Sequence, residues 1–430
     1  MHGDPLAPVL LVLLIMLAAA KIGSEISERL GQPAVLGELI VGLVLGNLVL
    51  FNPHWSLFEP LRAASVTDGW ALIIDSLARL GVILLLFEVG LESTVSEMAK
   101  VGTSSLLVAL VGVIVPFVLG FGVSYMLIKE VPADVLTYLP SNFNVMKIHL
   151  FVGATLCATS VGITARVLKD LGKLQTKEAK IVLGAAVIDD VLGLIVLAVV
   201  SAIVSASIRG SEVGTASLVR IAGTSIGFFV VAIGLGVVVV PRVLHYLAKL
   251  RTSGVMIVSS LLLCFLLSWV ADAVGLATIV GAFAAGLILE EVHFRDFKET
   301  IHLHELIHPI STLFVPIFFV LMGIQVRLET FADSSVVVLA LALTIAAITG
   351  KQVCGLAVVE KRLDRLSIGV GMIPRGEVGL IFAGIGKALN IVDGALYSAI
   401  VIMVILTTLI TPPVLKLTLS RWDRRSRISL

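Results

Sequence analysis

The sequence predicts an all-α, polytopic membrane protein of about thirteen transmembrane helices, arranged as two inverted six-helix repeats. Three observations lead there. Of 430 residues, 58% are hydrophobic and 14% charged, with a mean hydropathy of +1.09; soluble domains are nearer half apolar and a quarter charged. Apolar windows of about 20 residues, enough to cross a hydrocarbon core of ~30 Å, recur along the whole chain. Lys and Arg then alternate between dense and sparse connections, as the positive-inside rule requires.

The spans fall near 6–28, 33–50, 70–90, 101–128, 150–169, 179–206, 216–240, 253–271, 274–290, 306–326, 335–359, 366–388 and 394–417. The first, "MHGDPLAPVLLVLLIMLAAAKIG", ends like a signal-peptide cleavage site but lacks the basic n-region of one, so it reads as a span. Connections after odd-numbered spans carry runs such as Lys169, Lys173, Lys177, Lys180 and Lys361, Arg362, Arg365. The other side holds only Arg62, Lys129, Lys147, Arg209, Arg220, Arg327 and Lys387. The C-terminus is therefore expected inside and, with an odd span count, the N-terminus outside. Thirteen spans divide as six, one, six, and six-helix halves separated by one helix insert in opposite directions. The three cysteines, Cys157, Cys264 and Cys354, lie in apolar segments, which argues against a disulfide framework. Lys plus Arg (31) and Asp plus Glu (30) nearly cancel, so charge points to no nucleic-acid partner.

Two spans at matching positions, the fifth of each six, look interrupted. Span 5 reads "GATLCATSVGITARVL", with Thr159, Ser160 and Gly162 in mid-span. Span 12 reads "IGVGMIPRGEVGLIFAGIG", with Pro374, Arg375, Gly376 and Glu377 inside it. Proline removes a backbone donor and glycine loosens the helical ladder. Paired interrupted spans at corresponding positions are the best sequence pointer to a transport site.

Span 6 carries Asp189 and Asp190 side by side in "AAVIDDVLGLIVLAVV". A carboxylate at the centre of a membrane helix costs about 2.5–3.5 kcal/mol on insertion scales, so an acid there is functional by default. Counting from the cytoplasmic ends at 1.5 Å per residue puts the two aspartates, Lys351 of span 11, Ser160 and Pro374 all roughly 12–15 Å deep, near the midplane. Neighbouring helical residues point about 100° apart, so one aspartate can pair with Lys351 while the other faces a cavity. A hard cation such as Na⁺ wants oxygen ligands, and the carboxylates, the Thr159 and Ser160 hydroxyls and unwound carbonyls supply them. Arg375 and Glu377 read as charges that neutralise the dipole ends of the span-12 break. No cofactor is implied.

Other polar features have plainer readings. Asp75 and Arg79 are spaced i, i+4 and can satisfy each other. Glu38 either lines a moving interface or is solvated. In "HLHELIHP", His304 and His308 have a spacing that can bind metal, but with His302 and Glu305 they read first as a solvated interfacial helix, with pH sensing second. The "GFFVVAIG" motif of span 7 reads as packing.

The stretches "ATSVGITARVLKDLG", "VIDDVLGLIVLA", "FVPIFFVLMG", "GQPAVLGELIVGLVLG", "LLLFEVGLE" and "GMIPRGEVGLIF" together resemble the cation:proton antiporter-2 family, with sodium/proton antiporters of the NapA type the best fit. The resemblance implies the crossed broken helices of an NhaA-like antiporter fold, at spans 5 and 12. It implies that Asp190 binds the ion and that Asp189 forms a salt bridge with Lys351. It further implies a homodimer. The dimer domain would comprise 1–100 and 253–330 (spans 1–3 and 8–10). The core would comprise 101–206 and 335–417 (spans 4–6 and 11–13) and move like an elevator, with 207–252 a linker helix and 418–430 a cytoplasmic tail. Potassium exchangers of the family with a soluble nucleotide-binding tail resemble a Gln-Asp pair instead.

The expected activity is export of Na⁺, or Li⁺, in exchange for inward protons across the cell (inner) membrane. Two titratable acids, and the family's double-aspartate pattern, imply electrogenic exchange. An intramembrane aspartyl protease is excluded because its two aspartates come from two facing helices. A channel is disfavoured by a lysine beside the acids, and sodium-coupled symport by the lack of a further polar cluster for an organic substrate.

Overall fold

A computed structural model describes residues 6–52, 54–62, 69–92, 102–136, 139–140, 143–173, 176–208, 215–250, 252, 254–289, 303–361 and 363–428. Among the described residues there are seventeen α-helices, three short 3₁₀ turns and no strand. The first seven helices are α1 (Ala7–Arg29), α2 (Ala34–Gly46), α3 (Glu59–Arg62), α4 (Gly69–Glu92), α5 (Thr103–Leu127), α6 (Ala133–Leu136) and α7 (Met146–Thr155). Then come α8 (Val161–Asp170), α9 (Lys177–Ile208), α10 (Thr215–Leu247), α11 (Val255–Ala273), α12 (Thr278–Ile288) and α13 (Leu303–Ile324). The last are α14 (Ser334–Cys354), α15 (Arg365–Gly371), α16 (Glu377–Ala388) and α17 (Gly394–Ile428).

Eight candidate membrane-crossing helices satisfy length and hydropathy alone, counted among the described residues. Of the other predicted spans, the seventh is one continuous helix, α10, and four differ from simple rods. Spans 5 and 12 are each divided, into α7 and α8 and into α15 and α16. Spans 2 and 9 contain only 13 and 11 helical residues, about 20 and 16 Å at the helical rise and short of a ~30 Å core. The span-2 helix stops at Asn47, whose side chain donates to Leu43 O at 2.8 Å and Val326 O at 2.9 Å.

The chain forms two compact units. One contains Met1–Leu17, Gly69–Ala99 and Ser201–Phe318. Its centre is α12, buried at every position from Ile279 to Ile288. Small residues let backbones meet, the usual device where lipid supplies no hydrophobic drive between helices. A Cβ on Gly286 would lie 2.3 Å from Phe87 O of α4, and one on Gly281 2.0 Å from Leu267 O of α11. Helix α4 also touches α13, where a Cβ on Gly81 would lie 2.5 Å from Phe314 O. Asp75 and Arg79 meet at 2.7 Å, as their spacing predicts. The "GFFVVAIG" motif packs through Phe228, Phe229 and Ala232, which are buried, and not through its glycines: a Cβ on Gly227 or Gly234 would meet nothing within 4 Å among the described residues. The packing glycine of that helix is Gly236, against Ile288, two residues beyond the motif's last glycine and in register with α12.

The other unit contains Ala18–Asp68, Lys100–Val200 and Phe319–Leu430. Helix α2 packs backbone to backbone at Gly42 against Val320 and at Gly46 against Ile324. Glu38 is not solvated: it is 7% exposed and accepts from Ser24 Oγ at 3.0 Å. Arg62 is buried and bridges Glu59 at 2.5 Å and Glu329 at 2.7 Å. Helix α5 packs on α14, with Pro116 against Gly350. Two helix starts are capped by acids: Asp333 accepts from Ser335 N at 2.8 Å, and Asp364 from Ser367 N at 3.3 Å. The Ser335 amide holds the exposed Asp333 carboxyl below the usual carboxylate range.

Candidate cation site at two crossed helix breaks

Helix α7 stops at Thr155 and α8 resumes at Val161; α15 stops at Gly371 and α16 resumes at Glu377. In the second gap Pro374 can donate no backbone bond and biases Ile373 away from helical torsions. The first gap contains no proline, and its unwound backbone is held from across the site. Ser160 N donates to Pro374 O at 2.8 Å. The Thr159 hydroxyl donates to Met372 O at 3.2 Å and the Thr164 hydroxyl to Gly371 O at 2.6 Å. Arg375 Nη1 donates to Ala158 O, and Thr408 Oγ1 donates to Arg375 O at 2.8 Å. Breaking a buried helix strands backbone donors and acceptors that cannot reach water. Here each break satisfies the other's stranded groups, so the two interruptions form one crossing.

The charges gather beside it. Lys351 Nζ lies 2.7 Å from Asp189 Oδ1, and both side chains have no solvent exposure. Asp190 is 5% exposed and Arg375 fully buried. Arg375 is near enough to act electrostatically on both Asp189 and Lys351. Thr159 lies beside the Asp189 carboxylate. Arg375 Nε and Nη2 have no hydrogen-bond partner among the described residues. Two acids and two bases thus share one dry region, and opposite charges offset a desolvation cost of several kcal/mol per ion. The same helices also carry a buried apolar cluster that includes Val182, Ala185, Ile188, Cys354, Ile368 and Met372. The region offers a cation carboxylate, hydroxyl and carbonyl oxygens, and a proton-bearing pair.

Of the sequence-predicted residues, the structure brings Asp189, Lys351, Thr159, Ser160 and Arg375 together at the crossing, and Asp190 is buried next to Asp189 in the chain. Glu377 is the first residue of α16, and its side chain lies outside the described residues. His302 also lies outside them, while His304 and His308 sit on α13. Sequence reasoning missed three contributors. Gly112 of α5 faces the ion pair, and a Cβ there would stand 3.5 Å from both Asp189 Oδ1 and Lys351 Nζ. Thr408 and Thr164 brace the second break. Apolar spans contain many glycines and threonines, and only the fold singles these out.

The family profile described as "Sodium/hydrogen exchanger, transmembrane" matches residues 11–421. Among curated proteins, the high-affinity Na⁺/H⁺ antiporter NhaS3 of Synechocystis sp. (strain ATCC 27184 / PCC 6803 / Kazusa) is 39% identical, over 96% of this chain and 90% of its own. The Na⁺/H⁺-K⁺ antiporter GerN of Bacillus cereus is 35% identical, over 96% and 97%. Among solved structures, the sodium proton antiporter MjNhaP1 of Methanocaldococcus jannaschii aligns with a TM-score of 0.65 at 17% identity, covering 96% of this chain and 97% of that one. That last likeness establishes the fold.

Proposed function

The chain belongs to the transmembrane sodium/hydrogen exchanger family and is a multi-pass secondary cation/proton exchanger, not an enzyme, and from that premise we propose that it exports Na⁺, with Li⁺ as a second cargo, against inward protons. The observation that carries this reading is the buried Asp189–Lys351 pair, with Asp190 next to it, at the crossing of the two breaks. Asp190 is the ion carboxylate, and proton and cation compete for it. Thr159, Ser160 and unwound carbonyls complete the ligand set, while Arg375 and Glu377 balance the break. A second proton leaves when the Asp189–Lys351 pair rearranges, so two protons enter for each Na⁺ expelled. One net positive charge then moves inward per cycle, and a membrane potential negative inside contributes about 2.3 kcal/mol per 100 mV.

The alternation is an elevator movement of the core, 101–206 and 335–417, against a dimer domain of 1–100 and 253–330 in a homodimer, with 207–252 as linker. The protein sits in the cell inner membrane, with the N-terminus outside and the C-terminal tail, 418–430, in the cytoplasm. A second reading, K⁺ as cargo, is favoured by one observation, the K⁺ in the name of the 35% identical Bacillus relative.

Reconstitution in proteoliposomes tests both. Exchange driven by Na⁺ and Li⁺ and not by K⁺ supports the first reading, and K⁺ saturating at lower concentration than Na⁺ supports the second. With the potential clamped by valinomycin, a transport rate and reversal point indifferent to voltage would refute the two-proton cycle and leave antiport intact.

A further inference from the structure

Away from the helix breaks, the end of α4 and the beginning of α13 bring three metal-ligating side chains together. Glu88, His304 and His308 each present a ligand atom within 4.8 Å of the others. His308 Nδ1 and Glu88 Oε1 are 3.6 Å apart. The His304 and His308 rings stack at 5.5 Å between centroids, 17° from parallel, as i, i+4 neighbours on one helix face. The histidines are exposed, His308 by 63% at its side chain, while Glu88 is 11% exposed.

We infer that Glu88, His304 and His308 form a binding site for a late first-row divalent cation, Zn²⁺ in particular, separate from the transported ion. The ligand chemistry is the first reason. Imidazole suits Zn²⁺, Cu²⁺ and Ni²⁺ far better than it suits hard alkali cations. Two histidines with one carboxylate are a recurrent zinc set that leaves a fourth position for water. Geometry is the second. Bonds of about 2.0–2.1 Å in a tetrahedron put ligand atoms about 3.4 Å apart, so the 3.6 Å His308–Glu88 spacing already matches one edge. The exposed imidazoles close the remaining spacings by side-chain rotation. Rigidity is the third. Backbone contact at Gly81 and Phe314 fixes the antiparallel register of α4 and α13, and that register delivers Glu88 to the two histidines. Exposure gives the ion a path from water, and partial burial of Glu88 pre-orients the carboxylate. A bound ion staples the end of α4 to the first turns of α13. This inference is independent of which cation is transported.

The test uses the full-length protein in nanodiscs, with affinity tags removed and metals stripped by a chelator. Zn²⁺ is titrated calorimetrically, and Co²⁺ substitution is followed by its visible absorption. The expected result is one equivalent of Zn²⁺ per chain and a tetrahedral-type Co²⁺ band. His304→Ala, His308→Ala and Glu88→Gln should each weaken binding about tenfold or more, on the scale of losing a partner at a metal site. His245→Ala, on α10, should not. Unchanged metal-free melting of the exposed-histidine variants separates lost ligation from lost folding. Affinity weaker than about millimolar, or binding indifferent to Glu88→Gln, would overturn the three-ligand site.

Discussion

Helix α12 and the gap between α15 and α16 are equally buried and are built on opposite principles. In α12 every residue from Ile279 to Ile288 is buried and apolar or small, and glycines bring its neighbours to backbone contact. Between its two ends, its backbone groups pair within the helix itself. In the gap, Met372, Ile373, Pro374 and Arg375 are also buried, but the carbonyls of Met372 and Pro374 accept from Thr159 and Ser160 of another interrupted helix. Depth of burial therefore does not distinguish scaffold from site. What distinguishes them is where the backbone bonds go and whether charge accompanies them.

The sharpest way to break this comparison is to remove one charge and one glycine separately. Asp190→Asn removes the cation carboxylate while keeping its shape, and exchange should fall to the level of protein-free liposomes while thermal melting in detergent barely moves. In α12, Gly286→Leu forces a side chain into the Phe87 carbonyl, where a Cβ alone would sit 2.3 Å away. Overpacking of this kind costs typically about 1–3 kcal/mol. That variant should yield less folded protein, whose residual exchange keeps the parent dependence on Na⁺ concentration. Transport at the parent rate by Asp190→Asn would remove Asp190 from the mechanism.

The next largest effect concerns stability inside the site. Lys351→Ala leaves Asp189 as an uncompensated buried acid, a change that costs about 3–5 kcal/mol in comparable pairs. Asp189→Asn strands the lysine in the same way. The double variant should be less destabilised than the sum of the two, because the partners are 2.7 Å apart. Strict additivity in the double-mutant cycle, read by melting in detergent, would contradict the pairing.

Much of this site is legible in the sequence because charge and proline stand out in apolar helices. Asp189, Asp190 and Lys351 announce themselves by desolvation cost, and Pro374 by its missing donor. Counting residues from the span ends suffices to place them at one depth. Long-range pairing is not legible. Nothing local says that Ser160 N will meet Pro374 O, or that Gly112 rather than any other glycine of α5 will face the ion pair. The metal-ligating cluster shows the same limit: the His304–His308 spacing is visible, whereas Glu88, some 200 residues earlier, joins it only through the α4–α13 register. Helix lengths also elude the sequence, since the apolar windows of spans 2 and 9 run on past short helices that end at Gly46 and Ile288.

Smaller effects sharpen the account of the crossing. Thr408→Val removes the donor to the Arg375 carbonyl, and Thr164→Val the donor to Gly371 O, both buried. Each should cost about 1–3 kcal/mol, the range for a buried group left unsatisfied. If the breaks are one structural element, these losses should accompany altered cation affinity. An isosteric Thr→Val change in an unbroken helix, such as Thr344 of α14, whose hydroxyl donates to Ala340 O within its own helix, should leave affinity unchanged. Equal effects of all three on affinity would dissolve the distinction between the crossing and an ordinary helix.

The smallest expected effect lies at the rim of the same unit, where charge meets water. The Ser104 hydroxyl, at the start of α5, donates to the Glu360 carboxylate and accepts from Val359 N at 2.8 Å. The hydrogen bond from Ser104, followed by one from its own backbone amide, holds the Glu360 carboxyl below the usual carboxylate range. A depressed value means that the unfolded chain binds this proton more readily than the folded one. The stabilisation is therefore fully present above the ordinary carboxylate value of about 4.3 and is lost as pH falls through the lower folded value. Glu360 is exposed, so solvent screening keeps the contribution small. Glu360→Gln should lower the melting midpoint slightly at neutral pH, and the difference from the parent should shrink as pH falls below the ordinary carboxylate value of about 4.3. Removing either charge of the buried Asp189–Lys351 pair should lower the neutral-pH midpoint far more, because it leaves the partner buried and uncompensated. A midpoint for Glu360→Gln that matches the parent at pH 7 and falls away from it only in acid would reverse the assigned sign.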